Sequence, residues 1–83
     1  MNIFVANLNF HLKVDNLQKL FEEYGEVISA KIIKDKQTGK SKGFGFIEMP
    51  NEEDALRAIE ELNGTEIEGR PIVVKKANPK NQE

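Results

Sequence analysis

Residues 42–49 read KGFGFIEM, and the alternation in this run constrains the fold more than any other feature of the chain. In a strand, successive side chains point to opposite faces. One phase holds Lys42, Phe44, Phe46 and Glu48; the other holds Gly43, Gly45, Ile47 and Met49. A lysine and a glutamate are costly to bury in an apolar layer. Their phase therefore faces solvent and takes both phenylalanines with it. The chain is expected to form a sheet with one covered face and one open, aromatic face.

The neighbouring segments supply the rest of that sheet and its cover. NIFVANL is a short β-rich run, and EVISAKIIK is a second, rich in β-branched residues. DNLQKLFEEYG reads as a helix, because Leu17, Leu20, Phe21 and Tyr24 recur at helical spacing. Asp15 is its expected N-cap, with Gln18 three residues on, and Gly25 its expected stop. PNEEDALRAIEELNG reads as a second helix, capped by Asn51 and stopped at Gly64, with Ala55, Ala58, Ile59 and Leu62 on its apolar face. RPIVVKK is the last strand. The order is β-α-β-β-α-β. Two helices can cover one face of four strands, so the expected class is α+β: a ferredoxin-like β-α-β-β-α-β sandwich with a four-stranded antiparallel sheet. Residues 1–78 are expected to form one domain, followed by a short polar tail at 79–83.

The same phase rule applies to the other strands. Ile3 and Val5 suit the core, so Asn2, Phe4 and Ala6 face out. Ile72 and Val74 suit the core and leave Val73 and Lys75 outside. Ala30 and Ile32 point in; Ser29, Lys31 and Ile33 point out. Val27 then falls on the wrong side unless a bulge intervenes. The two glycines of 42–49 fall on the covered side, where they would let a helix come close. The open face collects Phe4, Phe44 and Phe46, bordered by Lys31, Lys42 and Lys75.

Apolar residues at exposed strand positions are errors unless they have a use, and a large exposed patch marks an interaction site. Rings framed by cations suit unpaired bases: rings stack on base faces, and lysines neutralise phosphates. A protein partner, a homodimer or the chain's own tail could also cover such a patch. The net charge of −2 argues at first against a polyanion, but the charges are segregated. Residues 31–42 hold five lysines and one aspartate, and 75–80 hold three further lysines. The acids concentrate in 51–64. Local charge decides where an anion docks.

Several functions lack their residues. There is no cysteine and only one histidine, His11, so neither a zinc site nor a histidine-based triad can be assembled. No catalytic constellation, metal or cofactor is expected. TGKS at 38–41 resembles the end of a phosphate-binding loop, but it lies between two strands and Lys34 stands where that loop needs glycine. No apolar run approaches the ~20 residues of a membrane span. The N-terminus lacks the features of a signal peptide. A reducing, cytoplasmic setting is expected.

KGFGFIEM resembles the eight-residue ribonucleoprotein motif of RNA recognition motif domains, with Ile47 in place of valine and Met49 in place of an aromatic. IFVANL, residues 3–8, is similar to the six-residue partner motif of that family. LFEEYGEV and the EELNG…EGRPIVVKKA segment also resemble the family's usual stretches. The chain looks most like the small single-domain bacterial proteins of the cyanobacterial type. The resemblance implies that Phe4, Phe44 and Phe46 carry base and sugar contacts and that Lys42 meets a phosphate. It implies further contacts at the end of the last strand, Lys75 to Asn78, including Ala77.

These readings converge on a monomeric, non-catalytic binder of single-stranded RNA, with single-stranded DNA bound more weakly. Asn2 and Lys31 lie on the binding face, and Lys40 and its neighbours in the 31–42 loop grip flanking backbone. Glu48 places a negative charge on the same face and should weaken binding. Met49 points inward, so its departure from the motif should be harmless. The alternative is a protein-interaction module that uses the acidic helical face.

Overall fold

The computed structural model describes residues 1–77; Asn78 and the 79–83 tail lie outside the described residues. The elements are β1 (Asn2–Ala6), α1 (Val14–Glu22), β2 (Ser29–Lys34), β3 (Ser41–Glu48), α2 (Glu52–Leu62), β4 (Glu66–Ile67), β5 (Arg70–Pro71) and β6 (Val73–Ala77). The four-stranded sheet runs β2-β3-β1-β6, with every neighbouring pair antiparallel. Both helices cover one face, as the strand phases require, and the architecture is ferredoxin-like.

The buried layer between the sheet and the helices is apolar. Ile3, Val5, Ile47, Met49, Ile72 and Val74 from the strand segments meet Leu17, Phe21, Ala55, Ala58 and Leu62 from the helices. Among the described residues no polar or charged residue is buried with them. Each large side chain in this layer contributes about 1.5–3 kcal/mol through burial. That driving force holds the open face in place by fixing which phase of each strand is hidden.

Helix α2 begins and ends as expected. Asn51 accepts a hydrogen bond from the Asp54 amide at 3.0 Å, the acids of the first turn favour the positive end of the helix dipole, and Gly64 turns the chain with φ of 85°. Helix α1 differs. Its N-cap is Lys13, which makes no side-chain cap bond. The Leu17 amide already donates to the Lys13 carbonyl, because Leu17 must be buried, and this draws Asp15 into the first turn. Gln18 then donates to Glu22 at 2.8 Å instead of closing a capping box. Gly25 has no left-handed backbone; it is small because the Asp54 side chain packs where a Cβ would stand.

Three further expectations are corrected. Arg70 and Pro71 do not begin the last strand of the sheet; they pair with Glu66 and Ile67 in a separate hairpin. Glu68 and Gly69, at φ of 54° and 84°, reverse the chain there, and Pro71 has no N–H to give the β1–β6 ladder. The register irregularity of β2 lies between Ile32 and Lys34, not at Val27, which precedes the strand and packs against the core from the connecting loop. Gly43 and Gly45 are buried, but no helix approaches them. A side chain at Gly45 would strike the Lys31 carbonyl of β2, and one at Gly43 would meet the Phe10 ring at 3.3 Å.

Candidate nucleic-acid interface

The register builds the open face row by row. Lys31 of β2 pairs with Phe46 of β3, Phe46 with Phe4 of β1, and Phe4 with Lys75 of β6. Two rings thus stand side by side at the centre of the sheet with a lysine at each edge. Phe44 completes the aromatic set two residues before Phe46. The centroid of Phe4 lies 5.8 Å from that of Phe44 and 5.6 Å from that of Phe46, at tilts of 42° and 54°. Phe44 and Phe46 meet edge to face at 6.4 Å. These separations fall in the range where aromatic pairs attract. All three rings are half-buried by one another and keep their outer surfaces open.

Lys31 places its Nζ 5.8 Å from the Phe46 centroid, close enough for a cation–π attraction. Lys75 is exposed at the other end of the row. The next row toward the start of β1 is polar: Ser29, Glu48, Asn2 and Ala77 pair in turn. Glu48 is exposed there between uncharged neighbours. Lys76 pairs with the core residue Ile3 and so belongs to the helix side of the sheet.

Lys42 and Lys40 lie where β3 meets the β2–β3 loop, and both are exposed. Asp35 organises that loop. Its carboxylate accepts from the Gln37 and Thr38 amides at 2.7 and 3.3 Å, and its own amide donates to the Lys40 carbonyl at 2.8 Å. Those two amide bonds hold the Asp35 carboxyl below the usual carboxylate range, and the positive charge of Lys42 adds to the effect. The first three residues of TGKS lie in this loop and its Ser41 begins β3, so the stretch does not open a helix.

The structure also places residues that sequence reasoning missed. Phe10, in the β1–α1 loop, is 60% exposed. The Arg70 guanidinium lies 5.8 Å from its ring centroid and donates to the Asn7 side chain at 2.8 Å. Asn7 donates in turn to the Pro71 carbonyl, and Asn9 to the Glu68 carbonyl. The small hairpin is thereby fastened to the loop that carries Phe10. No periodicity exists in a loop to reveal such a residue; the only signal was an aromatic among polar neighbours.

Of the site residues expected from sequence, Asn2, Phe4, Lys31, Phe44, Phe46, Lys75 and Ala77 share the open face. Lys42 and Lys40 stand at its end beside the loop, and Asn78 lies outside the described residues. Among the described residues no group of three or more His, Asp or Glu side chains is placed to hold a metal ion. No helix among them is long and apolar enough to cross a membrane.

Comparison with known proteins points the same way as this geometry. A profile of the RNA recognition motif matches residues 3–73. RbpA of Nostoc sp. is 42% identical over 80 residues, covering 96% of this chain and 78% of that protein. The crystal structure of the RNA-binding protein PG1 is 52% identical, with a TM-score of 0.90 and 93% of each chain covered. The RRM of Rna15 with bound RNA (GU) aligns at 26% identity and a TM-score of 0.84, covering 96% of this chain and 85% of that one. The chain spans much less of longer curated relatives, 25% of a chloroplast protein of Arabidopsis thaliana and 17% of a human one. The resemblance drawn from KGFGFIEM and IFVANL therefore holds across nearly the whole chain, which belongs to the RNA recognition motif family.

Proposed function

We propose that this chain binds single-stranded RNA across the open face of its sheet and does no chemistry on it. The observation that carries the proposal is the in-register row Lys31–Phe46–Phe4–Lys75. A row of two rings between two cations matches a strand whose bases stack inward and whose phosphates run outside. Phe4, Phe44 and Phe46 offer platforms for two or three bases. Lys31, Lys75, Lys42 and Lys40 neutralise phosphates. Asn2 and Ala77 meet base edges at the polar end of the sheet, and Asn78, which lies outside the described residues, is a further expected contact.

The names and bound ligand of the similar proteins support this reading. It extends to a monomer acting in the cytoplasm, with residues 1–78 as the binding domain and single-stranded DNA bound less tightly for want of the 2′-hydroxyl. The test is a fluorescence-anisotropy titration of the wild-type chain and the Phe44→Ala/Phe46→Ala double variant with short homopolymeric RNAs and matched DNAs. The double variant should keep the folded amide spectrum and lose RNA binding; undiminished affinity in a folded double variant would refute the proposal.

A further inference from the structure

We infer that Asn63–Gly64 is a dormant deamidation site, silenced by the joint between α2 and β6 and released when that joint opens. The site lies at the end of a helix, on the covered side of the sheet, so its chemistry is independent of what the open face binds.

Asn63 is the one asparagine of the chain followed by glycine. Glycine has no side chain to crowd its own amide nitrogen, so this pair cyclises more readily than any other asparagine pair. The reaction needs only water and base. The Gly64 nitrogen gives its proton to hydroxide and attacks Cγ of Asn63. The Cγ–Nδ2 bond breaks, and ammonia leaves after taking a proton from water. A second water then opens the cyclic imide. Cleavage of the new Cγ–N bond gives aspartate. Cleavage of the original peptide C–N bond gives isoaspartate, whose main chain runs through Cβ and Cγ.

The fold has little freedom to avoid this pair. Gly64 turns the chain at φ of 85°, a conformation that L side chains resist. Asn63 ends α2, and its Oδ1 accepts from the Val74 amide at 3.0 Å, which ties the helix end to β6. Both residues are exposed, so water reaches them. Three features hold the reaction off. The attacking nitrogen is engaged, because its N–H donates to the Ile72 carbonyl at 2.7 Å. The Asn63 side chain is held by its bond from Val74. The backbone is also turned the wrong way. Ring closure must bring the Gly64 nitrogen into eclipse with Cβ of Asn63 about the Cα–C bond, which in an L residue requires a negative ψ; Asn63 holds ψ at 124°. Releasing all three means parting Ile72 and Val74 from the helix end, and both are core residues. Deamidation at Asn63 therefore reports that opening. Isoaspartate makes the record permanent, because the lengthened main chain cannot restore both bonds.

The experiment incubates the wild-type chain at mildly alkaline pH without denaturant, in guanidinium chloride below its unfolding transition, and above it. Peptide mapping by mass spectrometry follows each asparagine. Above the transition Asn63 should deamidate ahead of Asn2, Asn7, Asn9, Asn16 and Asn51. In the folded chain its rate should fall about a hundredfold or more, as for a group reached only through local opening. Below the transition that rate should rise with denaturant in step with hydrogen exchange of the Gly64 amide, since one opening frees both. Asn63→Asp keeps the acceptor for Val74 and the length of the main chain, and should melt near the parent; the isoaspartyl fraction should melt lower. Equal rates at Asn63 in the folded and unfolded chain would overturn the inference. So would an unfolded chain in which Asn63 reacts no faster than the other asparagines, a folded-state rate unrelated to Gly64 exchange, or an isoaspartyl fraction with the parental Tm.

Discussion

Phe4 and Phe46 stand directly opposite each other in the β1–β3 ladder, with ring centroids 5.6 Å apart and planes tilted by 54°. The two strands that carry them are far apart in sequence, and the antiparallel register alone makes them neighbours. Lys31 and Lys75 extend the same row to both edges. In the proposed function stacking and phosphate contact meet in this one line, and variants along it should separate them.

Replacing one ring should cost binding more than stability. Phe46→Ala removes a platform worth about 1–3 kcal/mol per base. The ring is half-buried, so the fold should remain intact. Anisotropy with a short RNA should show Kd rising about tenfold or more while the thermal transition moves only a few degrees.

The edge lysines should appear in the salt dependence. Lys31→Gln or Lys75→Gln each removes one phosphate contact, so the slope of log K against log salt should fall by about 0.7 in magnitude per variant. Titrations at several salt concentrations measure this directly. The loss should be similar for every homopolymer, because phosphates carry no sequence.

Glu48 should act in the opposite sense. It is exposed on the binding face between Ser29 and Asn2. Glu48→Gln removes repulsion toward phosphate and should tighten binding a few-fold at low salt. The gain should fade as salt screens the charge.

Gly45→Ala should damage the fold. A Cβ there collides with the Lys31 carbonyl, and backbone cannot swing aside as a side chain does. Forcing atoms into a filled site costs about 1–3 kcal/mol. For a domain of this size that lowers Tm by roughly 4–8 °C per kcal/mol. Calorimetry would detect it, and RNA binding measured well below Tm should weaken too, since Lys31 is displaced.

Asp35 should make the β2–β3 loop sensitive to acid. Its folded-state pKa is depressed, first by the Gln37 and Thr38 amides and then by Lys42. A depressed carboxyl stabilises the loop above its unfolded pKa, and that stability is lost as pH falls through the lower folded value. Amide exchange at Gln37 and Thr38 should therefore quicken in acid. In Asp35→Asn this acid response should disappear.

Much of this is legible in the sequence. Lys42 and Glu48 set the phase of β3, and the same alternation placed Phe4, Lys31 and Lys75 on the open face. Both helices were visible from their apolar spacing. The failures have a common cause. Asp15 has the composition of an N-cap, but burial of Leu17 moved the helix start to Lys13. Arg70 and Pro71 look like strand residues, but the turn at Glu68 and Gly69 claims them for a hairpin. Gly45 looked like room for a helix, yet the space belongs to the backbone of a neighbouring strand. Local pattern does not contain these competing contacts.

The sequence by itself determined the order of the two helices and the four strands of the main sheet, the hidden side of those strands and hence the aromatic face, because burial and two-residue alternation act along the chain. Only the tertiary structure decided which ring faces which lysine, and that Phe10 lies beside Arg70. Those relationships depend on register and on loops brought together from distant positions, such as Asn7 with Arg70, and no local periodicity encodes them.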